Sequence, residues 1–239
     1  MPIHGFRNMG ITSQSFSPIV TNGLVLNLDA SNATSYPGTG STWFDISGNG
    51  KNYSIPTNAT WNSSGYFSVT SGSAFSGPAS NSFGFGNEHY VETVASPSSN
   101  GSTVFFLWSA SPSLGTDTRA IQTHLPWTEG TVYYDTYGCC DVTQRIAVGG
   151  QVPLNQTKHY GFITRRSSTP NRQIYRNNSS IVTSGTNSTA TATWNLTNPS
   201  TLALSWSGKF YSIRAYNRAL SDEEILKNYN YDQARFGIT

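Results

Sequence analysis

Few residues of this chain are of the kinds that do covalent chemistry, so each grouping can be weighed on its spacing. Glu88 and Glu92, in Glu-His-Tyr-Val-Glu, come nearest to a pair of working carboxylates. Four residues apart in a strand, they share one face, with α-carbons about 13 Å apart at about 3.3 Å per residue. A retaining glycoside hydrolase holds its carboxyl groups about 5–5.5 Å apart, and an inverting one no more than about 9.5 Å. Tyr90 stands where a middle acid would be needed. The spacing argues against hydrolysis and predicts a solvent-facing strand edge. His4, His89, His124 and His159 are scattered, with no HxxxH or HExxH pattern and no Ser or Cys elbow nearby. Gly149-Gly150 runs into Gln151-Val152-Pro153 and not into a helix that could receive a phosphate. No catalytic residue is assigned, and the chain reads as non-enzymatic.

Binding chemistry is better supplied. Trp127, Tyr133, Tyr134 and Tyr137 form a dense aromatic stretch that could stack on sugar rings, since such side chains offer an apolar face and a polar tip. The competing reading is core or inter-subunit packing. For Trp127, between Pro126 and a turn, both stay open. Trp43, Trp61, Trp108, Trp194 and Trp206 lie in or beside apolar runs and are expected in the core.

The elements that must carry these residues are short strands. Leu24, Leu26 and Leu28 alternate with Val25, Asn27 and Asp29, the period of a strand. Further strands are expected at 65–70, 89–95, 103–110, 118–124, 130–135, 143–148, 158–164, 172–176, 180–183, 201–206 and 209–217. Many short strands punctuated by Gly, Pro and Asn predict a sandwich or barrel. Ser47-Gly48-Asn49-Gly50 can supply the positive φ of a tight reversal. Asn177-Asn178 suits a type I′ hairpin. A single short C-terminal helix is expected from Ser221, where Ser221 and Glu224 make a capping box and Leu220 and Ile225 occupy the staple positions.

Composition narrows the function classes. Charged residues are 11% of the 239, against roughly 25% in ordinary globular chains, so Ser, Thr, Asn and Gly must hydrate the surface. A net charge of +2 with no basic run beyond Arg165-Arg166 gives nucleic-acid binding little support. Arg165-Arg166 is expected to cap a strand end or to join a subunit contact. The two cysteines, Cys139 and Cys140, are adjacent. Neighbours in a strand point to opposite faces, so the pair is expected to be reduced. No apolar run could span a bilayer, and Met1–Pro18 lacks the hydrophobic region of a signal peptide. The Asn-x-Ser/Thr triplets are read as by-products of composition.

Three blocks carry a family resemblance. Gly23–Tyr53 contains GLVLNLDA, SYPGTGSTW and DISGNG; His124–Asp135 is followed by Gly138-Cys-Cys140 and Gln144-Arg-Ile146; and Phe210–Ile225 reads FYSIRAYNRALSDEEI. In this order they resemble the laminin G-like jelly rolls of the concanavalin A-like superfamily, in particular those of bacteriophage structural proteins. The resemblance implies an all-β, concanavalin A-like jelly-roll β-sandwich over residues 21–239. It leaves residues 1–20 as an arm for attachment or inter-subunit contact, with Phe6, Ile11 and Phe16 as its apolar points. It further implies a virion structural protein, such as a capsid decoration or a short head or tail appendage. The expected partners are other virion proteins and further copies of the chain, a trimer being the expected form. The alternative is a lectin-like tail or fibre protein that binds host-surface glycans. Such modules also hold Ca²⁺ at a loop rim, for which Asp29, Asp45 and Asp135 are the candidate ligands; Asp117 and Asp141 are oxygens of the same hard type.

Overall fold

The computed structural model describes residues 18–101, 103–109, 119–136, 138, 140, 144–165, 171–184 and 198–239. In chain order the strands are β1 (Leu24–Asp29), β2 (Thr42–Trp43), β3 (Tyr53–Ser54), β4 (Ala59–Asn62), β5 (Tyr66–Val69), β6 (Phe75–Ala79), β7 (His89–Pro97) and β8 (Val104–Ser109). They continue as β9 (Arg119–His124), β10 (Val132–Thr136), β11 (Arg145–Val148), β12 (Lys158–Thr164), β13 (Arg172–Arg176), β14 (Ser179–Ser184), β15 (Pro199–Leu204) and β16 (Gly208–Tyr216). One α-helix, α1 (Asp222–Phe236), follows them. The result is the expected all-β sandwich of two eight-stranded antiparallel sheets. Sheet A runs β14-β13-β12-β7-β16-β5-β4, with β1 also paired to β16, and sheet B runs β11-β10-β9-β8-β15-β6-β3-β2.

The inner faces meet over an aromatic core. Trp43 packs edge-on to Phe67 at 4.9 Å and to Phe210 at 5.1 Å, and Phe75 meets Phe210 at 5.7 Å. Each such pair adds about 0.5–1.5 kcal/mol beyond burial of its area. Trp43, Trp108 and Trp206 are fully enclosed, as expected, and Trp61 is half-buried; Trp194 lies outside the described residues. Between the sheets His89, Tyr134 and Thr164 form a buried polar chain. His89 Nε2 lies 2.7 Å from Tyr134 Oη, which is 2.8 Å from Thr164 Oγ1. Burial pulls the His89 imidazole from 6.5 down to about 3, against a backbone hydrogen bond at Gly86 that favours its charge.

Local chemistry sets the connections. Asn177 and Asn178 take φ of 49° and 61°, the two left-handed residues of the expected hairpin turn. Asp45 organises the Gly-Asn-Gly reversal: Oδ1 accepts from the N–H groups of Asn27 and Ser47, and Oδ2 from Lys51 N–H and the Ser47 hydroxyl. The loop lines the backbone edge of β1, where Ile46 N–H donates to the Asn27 carbonyl and the Asn49 amide to the Leu24 carbonyl, and every residue of β1 after Leu24 is buried. The capping box forms as expected. The helix nevertheless runs to Phe236, because Gly237 in the left-handed region (φ 60°) is the first residue to end it. Val20 also belongs to the fold: its N–H donates to Asn228 Oδ1 and its carbonyl accepts from Tyr216 Oη. Arg165 caps the end of β12, donating to Gln173, the Leu220 carbonyl and Asp222. Cys140 is disulfide-bonded, which corrects the expectation of a reduced pair; Cys139, like Phe6, Ile11 and Phe16 of the arm, lies outside the described residues. Among the described residues no helix is long and apolar enough to cross a membrane.

Candidate functional site

The two outer faces of the sandwich treat their polar residues in opposite ways. On sheet A, Glu92 of β7 stands beside Arg214 of β16 by register, and α1 lies across them. The i, i+3, i+7 face of the helix buries Ile225, Asn228 and Asp232. Arg214 donates Nε to Glu92 Oε1 and both terminal nitrogens to Asp232. Asn228 donates to Glu92 Oε1 and to Tyr216 Oη at 2.9 Å each. Tyr90 lies over Gly161, where a Cβ would come within 2.3 Å of its hydroxyl, so only glycine leaves room there. Glu92 is therefore not on a solvent-facing edge. The covering helix closes it off, and its ring of long-range partners was invisible to strand spacing.

This cluster holds two carboxylates around one guanidinium. Burial opposes the charge on both, and Arg214 opposes burial; Glu92 is drawn below the usual carboxylate range while Asp232 is pushed above it. Two like charges sharing one countercharge split in this way. Burial also works against the Arg214 charge, but Asp232 and Glu92 hold the guanidinium well above its ordinary value. His159 Nε2 lies 3.3 Å from Glu92 Oε2 and 3.6 Å from Asp232 Oδ2. Among the described residues Glu92, His159 and Asp232 are the one set of donors close enough to hold a metal ion. With Arg214 already on both carboxylates and no exposed surface, what the arrangement does is fasten α1 to the sheet.

The outer face of sheet B is different. One register row crosses it: Thr42, Ser54, Ser76 and Thr201 on one half, then Leu107, Gln122, Asp135 and Arg145 on the other. The serines are exposed, whereas Gln122 and Asp135 are buried. Arg145 grips Asp135 through Nε at 2.5 Å and Nη2 at 2.8 Å and lays its guanidinium 4.3 Å over the Tyr133 ring. That bidentate bond, outweighing partial burial, holds the guanidinium above its ordinary value. His124 sits beside Tyr133. Its Nδ1 meets the Thr103 carbonyl and its Nε2 lies 2.7 Å from the Gln122 amide nitrogen. Contacts at both ring nitrogens fix the orientation of the imidazole within the face. Asp135 is thus positioned by Arg145, and His124 by Thr103 and Gln122.

Trp127 stands at the corner of this face. Its N–H donates to the Thr131 carbonyl and its carbonyl accepts from Gly130, whose φ of 74° closes the turn. The turn is anchored from inside by Trp206 Nε1 on the Leu125 carbonyl and by the Thr103 hydroxyl on the Pro126 carbonyl; the Leu125-Pro126 peptide is cis. The Trp127 ring is half-buried, 4.5 Å from His124 at 77° and 6.4 Å from Tyr133 at 80°. The two rings form a right-angled corner, with Trp127 as one wall and Tyr133, capped by Arg145, as the other.

Of the predicted stacking residues the structure brings Trp127 and Tyr133 together. Tyr134 is corrected: adjacent strand residues face opposite ways, and its ring is fully buried between the sheets against Phe162. Tyr137 lies outside the described residues. The three candidate Ca²⁺ ligands are not gathered into one donor set among the described residues, and each has protein partners. Asp29 accepts from Ser31 and pairs with Arg235 at 2.6 Å, Asp45 is spent on its turn, and Asp135 is held by Arg145. Sequence reasoning missed Gln122, His124 and Arg145. Their signal was the alternation that sets them on one face with Tyr133.

Set against known proteins, the chain matches no protein-family description, and no curated protein matches it. Solved structures do resemble it. A Trypanosoma rangeli sialidase mutant displaying trans-sialidase activity superposes with a TM-score of 0.66 at 16% identity, over 92% of this chain and 34% of that one. The Trypanosoma rangeli sialidase in complex with sialic acid gives 0.65 at 16% identity, over 89% and 33%. The ligand binding domain of botulinum neurotoxin serotype D in complex with N-acetylneuraminic acid gives 0.63 at 11% identity, over 88% and 51%. The chain thus spans about a third of the sialidases and half of the toxin domain. At such identities the likeness is one of β-sandwich fold.

Proposed function

We propose that this chain is a non-catalytic carbohydrate-binding module whose ligand face is the outer face of sheet B. The observation that carries this is Trp127, a half-buried indole on an internally anchored turn beside His124, Tyr133 and the paired Arg145. One sugar ring would stack on the indole, and its hydroxyls would meet the polar row. The burial of Asp135, His124 and Glu92 favours binding over catalysis. The solved structures that share the fold include proteins captured with sialic acids, which supports the carbohydrate class. A glycan array with the intact chain and with Trp127→Ala tests the reading. Binding that disappears in the variant is expected; an array on which the intact chain binds nothing would overturn it.

A second reading, compatible with the first, places the module on a phage particle as a decoration or short appendage, with the arm of residues 1–20 as its attachment. It is favoured by the three sequence blocks, which fall on β1 to β3, on β9 to β11 and on β16 with α1. Deleting residues 1–18 is expected to abolish occupancy on purified particles; unchanged occupancy would remove the arm from this reading.

A further inference from the structure

The centre of the outer face of sheet A is closed, but its end at the last turns of α1 is more open. There two cations and four rings form a file of side chains. Lys209 Nζ sits 5.1 Å above the Tyr66 ring, Tyr66 lies 5.2 Å from Tyr211, and Tyr211 lies 5.2 Å from Phe236. The Arg235 guanidinium follows, 4.8 Å from Phe236 and 4.7 Å from Tyr231. The register shift between Phe210 and Ser212 makes Tyr211 the extra residue of a bulge, turned toward the helix. None of the four rings belongs to either hydrophobic core cluster. All four are half-buried, and Lys209 is exposed.

The two cations differ in what holds them. Arg235 is fixed by Asp29 and Ser31, so its charge is spent and it serves as a spacer between rings. Lys209 makes no ion pair or hydrogen bond among the described residues, and only the Tyr66 ring attends its charge. A site with one uncompensated cation beside tilted, half-buried aromatic rings suits a ligand that brings one anion and an apolar ring face.

We propose that this file is a second binding site, for a carboxylate-bearing saccharide chain, with sugar C–H faces on Tyr66 and Tyr211 and the carboxylate on Lys209. A nucleic acid fits less well, since a polyphosphate backbone calls for several unspent cations and the file has one. The inference is independent of Trp127, which lies on the opposite sheet, and either site can fail without the other.

The test is calorimetric titration of the full chain with hexagalacturonate and with its methyl ester, which keeps the rings and removes the charge. The acid is expected to bind, with affinity falling as salt rises. The ester and the Lys209→Gln variant are each expected to bind about tenfold more weakly, the worth of one charge-assisted hydrogen bond. Tyr66→Ala is expected to weaken binding further, and Trp127→Ala to leave it unchanged. Equal binding of acid and ester, full affinity in Lys209→Gln, no binding by the intact chain, or tighter binding of a single-stranded oligonucleotide would each overturn the proposal.

Discussion

The two outer faces of this sandwich start from the same material, a sheet surface that carries a few charged groups among strand residues, and they end differently. On sheet A the charges are Glu92, Arg214 and Asp232, drawn from two strands and a helix and sealed under that helix. On sheet B the charges are Asp135 and Arg145, a registered neighbour pair that leaves the guanidinium partly exposed and an indole at its margin. The difference is one of what covers the face. Where a helix covers the pair, charge becomes a fastening; on sheet B the carboxylate is buried but its partner Arg145 and the neighbouring Tyr133 reach the surface and can meet a ligand.

The closed face gives the largest expected effect. Arg214→Ala would leave two buried carboxylates facing each other with only His159 and the more distant Arg235 nearby, and breaking a buried pair in this way costs about 3–5 kcal/mol. Chemical denaturation should show that loss together with early release of α1 in hydrogen exchange; a loss within about 1 kcal/mol would mean that the cluster is not what fastens the helix. The interior between the faces gives the next effect. His89 is neutral when folded, with its value lowered from 6.5 to about 3, so between those values the unfolded chain binds the proton and the folded chain does not. Its contribution is therefore fully present above about 6.5 and is lost as pH falls toward 3, at up to about 1.4 kcal/mol per pH unit. His89→Gln should flatten that limb of the stability profile, and an unaltered acid limb would contradict the assignment. The open face gives the smallest effect on stability. Trp127→Ala is expected to cost within about 1 kcal/mol, because its turn is held by backbone bonds and by Trp206 rather than by its own ring. A larger loss would turn Trp127 back into a packing residue.

Much of the fold could be read from local signals. The capping box at Ser221 and Glu224, the left-handed pair at Asn177-Asn178 and the twelve longer strands each state their structure within a few residues. Strands β2, β3, β4 and β6 did not, since two are only two residues long and β6 carries Gly77 and Pro78. Gly77 is explained only by distance in sequence: the Tyr53 ring fills the space its Cβ would take. The sites followed the same division. Trp127 and Tyr133 could be singled out because they sit together in the chain, and alternation alone argues that Tyr134 should face the other way. Glu92 was misplaced because the groups that enclose it, Arg214 and Asp232, lie more than a hundred residues away and on another element. The three Asp residues taken as Ca²⁺ ligands are a related case, since each has a local or cross-strand donor that spacing could not reveal.

The central claim, that the face of sheet B with Trp127 is the one that meets carbohydrate, is tested most directly by the indole N–H resonances of the chain's 6 tryptophans. On titration with a glycan selected from the array, the Trp127 indole signal should move in a saturable way. Trp206, whose indole is buried on the Leu125 carbonyl, should stay still. A Trp127 signal that does not respond while the glycan binds would contradict the account.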